Sequence, residues 1–287
     1  MRRLILLILA LATLLPSLAY AYDVLILQSG RNPAYEEALK GFRAGTGVSQ
    51  RLIVLSDYAE VDVIRIVRED HPQLILAIGD AALKEARKAR QIPVVALMTL
   101  GIRDTKGAVA NLTGVEMFAP PEKYIALFQE MKAKRIGVIC NPDRSGWYLR
   151  LAQKRAQDAG ITLVTREVKE PRETIQQLAS LAGKVDTLWM LPDSTAITRE
   201  TTEAYFRFGQ QHSVPVVAFA EGYLGLGALA VLEIDRAGLG RQTAEMVTAT
   251  LNGDNAMNAI PLFPKATNKK CNQAVGKRLG ILLSTSD

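Results

Sequence analysis

The sequence predicts an α/β protein of two lobes, each a parallel sheet covered by helices on both faces, with a hinge of several strands between them. Three observations carry that expectation. Short, continuous apolar runs alternate along the chain with segments of helical periodicity, the pattern of strands buried on both faces. The two halves echo each other in sequence. A strongly amphipathic segment near the end does not extend the second half and has somewhere else to go.

The first alternation opens with a strand over Asp23 to Gln28. A helix over Pro33 to Ala44 follows, with Tyr35, Ala38, Leu39 and Phe42 on one face. Next come a strand over Arg51 to Leu55 and a helix from Tyr58 to Glu69, stopped by His71-Pro72. Leu74 to Ile78 is a buried strand, Ala81 to Arg90 a helix and Val94 to Met98 a strand. After a loop the pattern restarts. Helices are predicted over Pro121 to Lys132, Arg144 to Ala159, Thr174 to Ala182 and Ile197 to Gln211, the first with proline at its start. Strands are predicted over Arg135 to Cys140, Ile161 to Arg166, Val185 to Leu191 and Val214 to Phe219.

The echo is specific in its order. Ile92-Pro93-Val94-Val95-Ala96-Leu97 matches Val214-Pro215-Val216-Val217-Ala218-Phe219. A helix precedes each, and before that a strand ends in an aspartate: Ala77-Ile78-Gly79-Asp80 and Met190-Leu191-Pro192-Asp193. Gly238 to Leu251 is a further helix with Leu239, Thr243, Met246, Val247 and Leu251 facing inward. Such a helix can cross back to the first lobe, so chain crossings are expected near Asn111 to Val115, Ala230 to Asp235 and Asn258 to Pro264. The lobes then comprise 22–114 with 235–257, and 115–234 with 258–287.

Composition narrows the compartment and excludes several functions. Arg2-Arg3, an apolar run from Leu4 to Leu15, and Ala19-Tyr20-Ala21 read as a secretory signal over 1–21. The run is short of the roughly 20 residues that a membrane span needs, and no cysteine follows it for lipid attachment. The 287 residues less the first 21 leave 266, enough for two ordinary domains. The formal charge of +6 falls by the two arginines to +4. The basic residues are scattered apart from Lys265, Lys269, Lys270, Lys277 and Arg278, which read as solvated surface and not as a nucleic-acid stripe. Cys140 and Cys271 permit a disulfide in an oxidising compartment, with two separate thiols as the alternative.

Catalytic signatures are absent. The loop after the first strand, Gln28-Ser29-Gly30-Arg31-Asn32-Pro33, is not a dinucleotide fingerprint; there is no phosphate loop and no nucleophile elbow. His71 and His212 both sit at helix ends, and no set of residues has metal-ligand spacing. No cofactor is expected. What remains is a ring of polar residues at the carboxyl ends of the predicted strands, where open α/β sheets bind ligands. The first lobe offers Ser29, Asn32, Asp80 and Thr99. The second offers Asn141, Asp143, Asp193, Ser194 and Glu221, with Tyr223 nearby and Trp147 within reach. Asp80, Asp143 and Asp193 each precede a helix, so each is a cap, a ligand contact, or both.

Several stretches resemble the ABC-transporter substrate-binding family whose characterised members include tryptophan- and tyrosine-binding proteins. They are Asn32-Pro33-Ala34-Tyr35 with Gly41-Phe42, Asn111-Leu112-Thr113-Gly114-Val115, and Arg135-Ile136-Gly137-Val138 running to Asn141-Pro142. Further on come Asp193-Ser194, Gly227-Ala228-Leu229-Ala230 and Gly240-Arg241-Gln242-Thr243-Ala244-Glu245-Met246. The resemblance implies two Rossmann-like lobes joined by a multi-strand hinge, the type I periplasmic-binding-protein architecture. It implies a monomer without catalytic activity that closes on a small solute, often an amino acid, and is recognised closed by a membrane permease. It places the first-strand loop, the Gly79-Asp80-Ala81 turn, Asn141, Asp193 and Glu221 against the ligand. The chain departs from the family at Asp80, where a small hydroxyl residue is common. An aspartate there repels a carboxylate unless turned away as a cap, and with Asp193 and Glu221 it suits a cationic or hydroxyl-rich ligand.

The expected function is therefore that of an exported, periplasmic solute-binding protein of an ABC importer. The alternatives are a sensor or carrier of the same fold without a permease, and a hydrolase or lyase using Asp80 and Asp193 as paired carboxylates.

Overall fold

The computed structural model describes residues 22–103, 111–253 and 260–284. The expected export signal lies outside the described residues, as do Asn258 and Ala259 of the expected third crossing.

The first lobe is built from β1 (Val24–Gln28), α1 (Pro33–Gly45), β2 (Gln50–Val54), α2 (Val63–Asp70), β3 (Leu74–Ile78), α3 (Asp80–Ala86), β4 (Val94–Leu97) and β5 (Leu112–Gly114). Its sheet runs β2-β1-β3-β4-β5, all parallel. Every residue of β1, β3 and β4 is buried, which is why these strands read as unbroken apolar runs. The second lobe continues with α4 (Pro121–Glu130), β6 (Arg135–Cys140), α5 (Pro142–Asp158), β7 (Thr162–Glu167), α6 (Glu173–Ala179), β8 (Thr187–Trp189), α7 (Arg199–His212), β9 (Val216–Ala218), α8 (Gly222–Leu226) and β10 (Ala230–Ile234). Then come α9 (Arg236–Leu251), β11 (Thr267–Cys271) and α10 (Gln273–Leu279). The second sheet runs β11-β10-β9-β8-β6-β7, with β11 antiparallel to β10 and the other pairs parallel.

Taken from its far edge, β7-β6-β8-β9-β10 repeats the winding of β2-β1-β3-β4-β5. The echoed segments Ile92–Leu97 and Val214–Phe219 thus enter and form the fourth strand of each lobe, and Asp80 and Asp193 follow the third. The predicted fold class, two parallel-sheet α/β lobes on a multi-strand hinge, is the one observed.

Element boundaries differ where caps override periodicity. Asp62 accepts from the Arg65 amide at 2.9 Å, so α2 begins at Val63, and Leu55–Asp57 is a separate 3₁₀ turn. Asn141 caps α5 by accepting from the Asp143 amide at 2.9 Å, which starts the helix at Pro142. The basic tail needs correction. Lys269 and Lys270 belong to β11, a polar edge strand, and their ammonium groups reach Glu130 at 2.9 Å and Glu221 at 2.6 Å.

α9 crosses to the first lobe and packs along α1. Its Leu239, Ala244 and Val247 join Val24, Ile26, Leu39 and Phe42 in one buried cluster. The contact is backbone to backbone: a Cβ on Gly240 would stand 2.0 Å from the Ala38 carbonyl oxygen, and one on Gly41 2.1 Å from that of Ala237. Two of the stretches that carry the family resemblance, around Gly41 and Gly240, are therefore the two sides of one helix crossing.

The first and third crossings are zipped together. The Glu116 amide donates to the Leu262 carbonyl at 2.8 Å and the Leu262 amide to the Gly114 carbonyl at 3.0 Å, with Val115 bridging Leu262 in parallel. Gln242 of α9 ties in the third crossing, donating to the Phe263 carbonyl at 3.0 Å and accepting from the Lys265 amide at 2.9 Å. The Glu116 side chain is 1% exposed and receives the Arg103 Nε at 2.5 Å. Burial pushes its carboxyl up to about 7, against the opposing pull of Arg103.

Both cysteines are free. Cys140 is on β6 and Cys271 on β11, four strand spacings apart in the sheet order. At about 4.8 Å per spacing that is roughly 19 Å, beyond the reach of a disulfide. The thiols are separate, and burial pushes that of Cys140 up to about 12.

Two predictions follow from the crossing and the hinge. Gly240→Ala should lower unfolding stability by about 3 kcal/mol, because backbone on both sides must move. Gly47→Ala, with nothing within 4 Å, should leave the denaturation midpoint nearly unchanged. For Glu116 the folded carboxyl holds its proton above the ordinary value of 4.5, up to about 7. Stability present at low pH is then lost as pH rises through that window, by about 3 kcal/mol. Melting curves from about pH 5 to about pH 8 should show this decline, and Glu116→Gln should flatten it.

Candidate functional site

The carboxyl ends of both sheets face a cleft that holds two adjoining cavities. The larger, about 320 Å³, is lined from the first lobe by Tyr35, Asp80, Met98 and Leu100. The crossings contribute Met117, Phe118, Leu232, Glu233, Ile234 and Arg236, and the second lobe Tyr124, Pro192, Phe219 and Ala220. The smaller, about 220 Å³, is lined by Leu100, Gly101, Arg103, Phe118, Asn141, Asp143, Arg144, Pro192 and Ser194. Leu100, Phe118 and Pro192 wall both, so one small molecule can span the two. The larger cavity is chiefly apolar and aromatic, at the lower end of the volumes usual for ligand sites.

On the first-lobe side, Gly79 is the N-cap of α3, with φ of 86°, and Asp80 is the first helical residue. Tyr35 and Ser29 press against that turn: a Cβ on Gly79 would lie 2.5 Å from the Tyr35 hydroxyl and 2.6 Å from Ser29 Oγ. Ser29 Oγ accepts from the Ala82 amide at 2.9 Å, capping α3 from across the sheet. Asp80 is thus not the cap. Its Oδ1 accepts from the Gly101 amide at 2.8 Å, tying α3 to the 3₁₀ turn Gly101–Arg103, and the residue is exposed to the cleft. Burial, with the Asp80 carboxylate second, pushes the Tyr35 phenol up. Met98 holds a left-handed φ of 56°, unusual for a side chain of its size, at the wall of the larger cavity.

The other predicted site residues divide sharply. Asn141 and Ser194 line the smaller cavity beside Asp143. Asp193 is 2% exposed, and its carboxylate takes four protein donors: the amides of Asn141 (2.7 Å), Thr195 (2.9 Å) and Ala196 (3.1 Å), and the Ser145 hydroxyl (2.5 Å). A buried carboxylate satisfied in this way shapes the cleft from behind. It does not face Asp80 across the cleft, so the two do not form the paired carboxylates of a hydrolase or lyase. Glu221 points to Lys270 on the protein surface, its side chain 60% exposed, and lines neither cavity. Tyr223 packs between Phe206 and Phe219, at ring distances of 6.1 and 5.1 Å. Asn32 caps α1 through the Ala34 amide at 2.8 Å. Thr99 is wholly buried, its hydroxyl without a hydrogen-bond partner among the described residues.

Sequence reasoning missed the aromatic and hinge residues. Tyr124 falls within a predicted helix and Phe219 ends a predicted strand, while Glu233 lies within a segment expected to cross between lobes and Met117, Phe118 and Arg236 lie just beside such segments. The signal that finds them is position: a crossing strand at the back of a cleft must present side chains to it. Glu233 and Arg236 belong to a chain of ion pairs that spans both lobes. Arg236 reaches Glu37 of α1 at 3.1 Å and Glu233 at 2.7 Å, and Glu233 reaches Lys270 at 3.1 Å. Trp147 lies under the Arg103 guanidinium, 4.0 Å from its ring centre, and stacks on Phe263.

Among the described residues no cluster of three His, Cys, Asp or Glu could hold a metal ion, and no helix is long and apolar enough to cross a membrane.

Comparison with known proteins agrees with this architecture. The family model described as ABC transporter substrate binding protein matches residues 53–286. A tyrosine-binding protein of Clostridioides difficile (strain R20291) is 24% identical over 204 residues, covering 67% of this chain and 58% of that protein. The chain thus matches less than two thirds of that relative's length. Two solved structures share the fold. One is the ligand-free, open form of a substrate binding protein with adhesive properties from Clostridium difficile, with a TM-score of 0.68, 22% identity, and coverage of 93% of this chain and 97% of that one. The other is an ABC domain in complex with L-Trp from Streptococcus pneumonia, with a TM-score of 0.64, 20% identity, and coverage of 91% and 96%. With the family model matching 53–286, the chain belongs to the ABC transporter substrate binding protein family.

Proposed function

We propose that the protein is the exported solute-binding subunit of an ABC importer, and that its solute is an L-amino acid with a large apolar side chain. The observation that carries this reading is the larger cavity. It draws walls from both lobes and from the crossings between them, it is mainly aromatic and aliphatic, and it has one cleft-exposed carboxylate, Asp80, at its edge. An apolar side chain gains by leaving water for such a cavity, and an ammonium group gains from Asp80. The relatives named for tyrosine and bound to L-Trp support the same class.

Capture works by lobe closure. A solute that touches Tyr35 and Asp80 on one lobe and Tyr124 and Phe219 on the other favours the closed arrangement by its differential affinity for it. We take the lobes as 22–114 with 235–257 and 115–234 with 258–287, the protein as a monomer, and the closed form as the one a permease recognises. Export through the signal over 1–21 would place it in the periplasm. No residue is assigned a catalytic role.

A thermal-shift screen of the purified protein tests the reading. Tyrosine, tryptophan, phenylalanine or leucine, at about a hundred times its dissociation constant, should stabilise the fold by about 2.7 kcal/mol, a rise in midpoint on the order of 5 °C. Asp80→Asn should weaken that ligand about tenfold or more while leaving the unliganded midpoint close to wild type. A shift with sugars or simple anions and none with amino acids would overturn the assignment.

A further inference from the structure

The smaller cavity has a chemistry of its own. Arg103 and Arg144 line it, against one carboxylate, that of Asp143. Arg144 is exposed and makes no ion pair among the described residues. Arg103 is held rigidly on two sides. Its Nε donates to the buried Glu116, and its guanidinium plane lies over Trp147. Its two Nη groups have no recorded bond to another described residue. A guanidinium fixed at Nε and stacked on an aromatic face is already oriented, so a second anion binding through the Nη edge loses little conformational freedom.

We infer that this chamber is a carboxylate subsite: Arg103, aided by Arg144 and the Ser194 hydroxyl, receives the carboxylate of a ligand whose apolar body fills the larger cavity. The inference rests on the reading of the cleft as a solute site and adds which end of the solute goes where. Three observations converge on it. The mouth of α3 is closed to anions, because Asp80 stands there and its Oδ1 already takes the Gly101 amide. Among the described residues that line the larger cavity the one guanidinium, Arg236, is committed to Glu37 and Glu233. The two chambers share Leu100, Phe118 and Pro192, so a ligand can place its ammonium at Asp80, near the junction, with its carboxylate turned toward Arg103. The carboxylate therefore sits past the 3₁₀ turn Gly101–Arg103, in the smaller cavity, and not at the N-terminus of α3.

Calorimetric titration of the purified protein with matched pairs tests this: L-tryptophan against tryptamine, L-tyrosine against tyramine, L-phenylalanine against phenethylamine, and L-leucine against isoamylamine. The amino acid that binds should do so about 30-fold or more tighter than its amine. Arg103→Gln should cost the amino acid about that factor and leave the amine within about threefold, and Arg103→Lys should fall between, having charge without the fork. Arg144→Gln, at an exposed site that carries no folding burden, should show the same preference for the amino acid in its loss, at smaller size. If the amine binds as tightly as the amino acid, or if Arg103→Gln weakens both alike, the subsite is wrong while the cleft assignment stands. If no amino acid and no amine binds, both are wrong.

Discussion

The contact of α1 with α9 fastens the outgoing chain of the second lobe onto the first. Glycine at both 41 and 240 lets two helix backbones meet where any side chain would collide with a carbonyl. Because α9 begins directly after β10, its anchoring fixes where Glu233, Ile234 and Arg236 stand, and these form the back wall of the larger cavity. Arg236 completes the tie, reaching α1 through Glu37 while bonding Glu233 on the strand it leaves. The third crossing is held to α9 by Gln242 and to the first by Leu262. The hinge is thus a bundle of connected segments, and motion between lobes has to bend it as a unit.

Charge is distributed over the cleft by which carboxylates the protein consumes. Asp193 is spent entirely on four donors, three amides that follow β6 and β8 and the Ser145 hydroxyl of α5, so it holds Asn141 in the wall of the smaller cavity without entering it. Glu221 and Glu233 share Lys270, and Glu116 is spent on Arg103. Asp80, at the larger cavity, and Asp143, at the smaller, are the predicted carboxylates that remain turned to the cleft. A site that looks strongly acidic when its residues are picked by type is, once partners are counted, an apolar cavity with one acidic edge and a basic chamber next to it. Unpaired buried charge is costly, and only an exposed carboxylate keeps its charge available to a ligand.

The sequence disclosed the fold because parallel strands buried on both faces must be unbroken apolar runs, and because the echo between Ile92–Leu97 and Val214–Phe219 reflects the same strand position in each lobe. β11 was hidden for the complementary reason. Thr267-Asn268-Lys269-Lys270-Cys271 is a half-buried edge strand whose pairing with β10 comes from backbone and whose lysines find carboxylates remote in sequence. The candidate site was legible only in part. Asp80, Asn141 and Ser194 follow from strand ends. The aromatic walls do not, since Tyr124 and Phe219 have the same local pattern as core residues, and only the relative placement of two lobes turns them toward ligand. Glu221 and Asp193 stand out in sequence as carboxylates at strand ends, and local pattern does not pair them with their partners, Lys270 and Ser145.

The Arg103–Trp147 contact bears on how closure works. Arg103 follows the fourth strand of the first lobe and Trp147 lies on α5 of the second, so a cation–π contact already joins the lobes beside the crossings. The contacts from both lobes that a solute can add lie in the larger cavity, between Tyr35 and Asp80 on one side and Tyr124 and Phe219 on the other. A solute that also engages Arg103 would bind a group already braced by Glu116 and Trp147. Its energy shifts the balance between the arrangements only as far as it differs between them, and contacts drawn from both lobes, in either cavity, supply that difference.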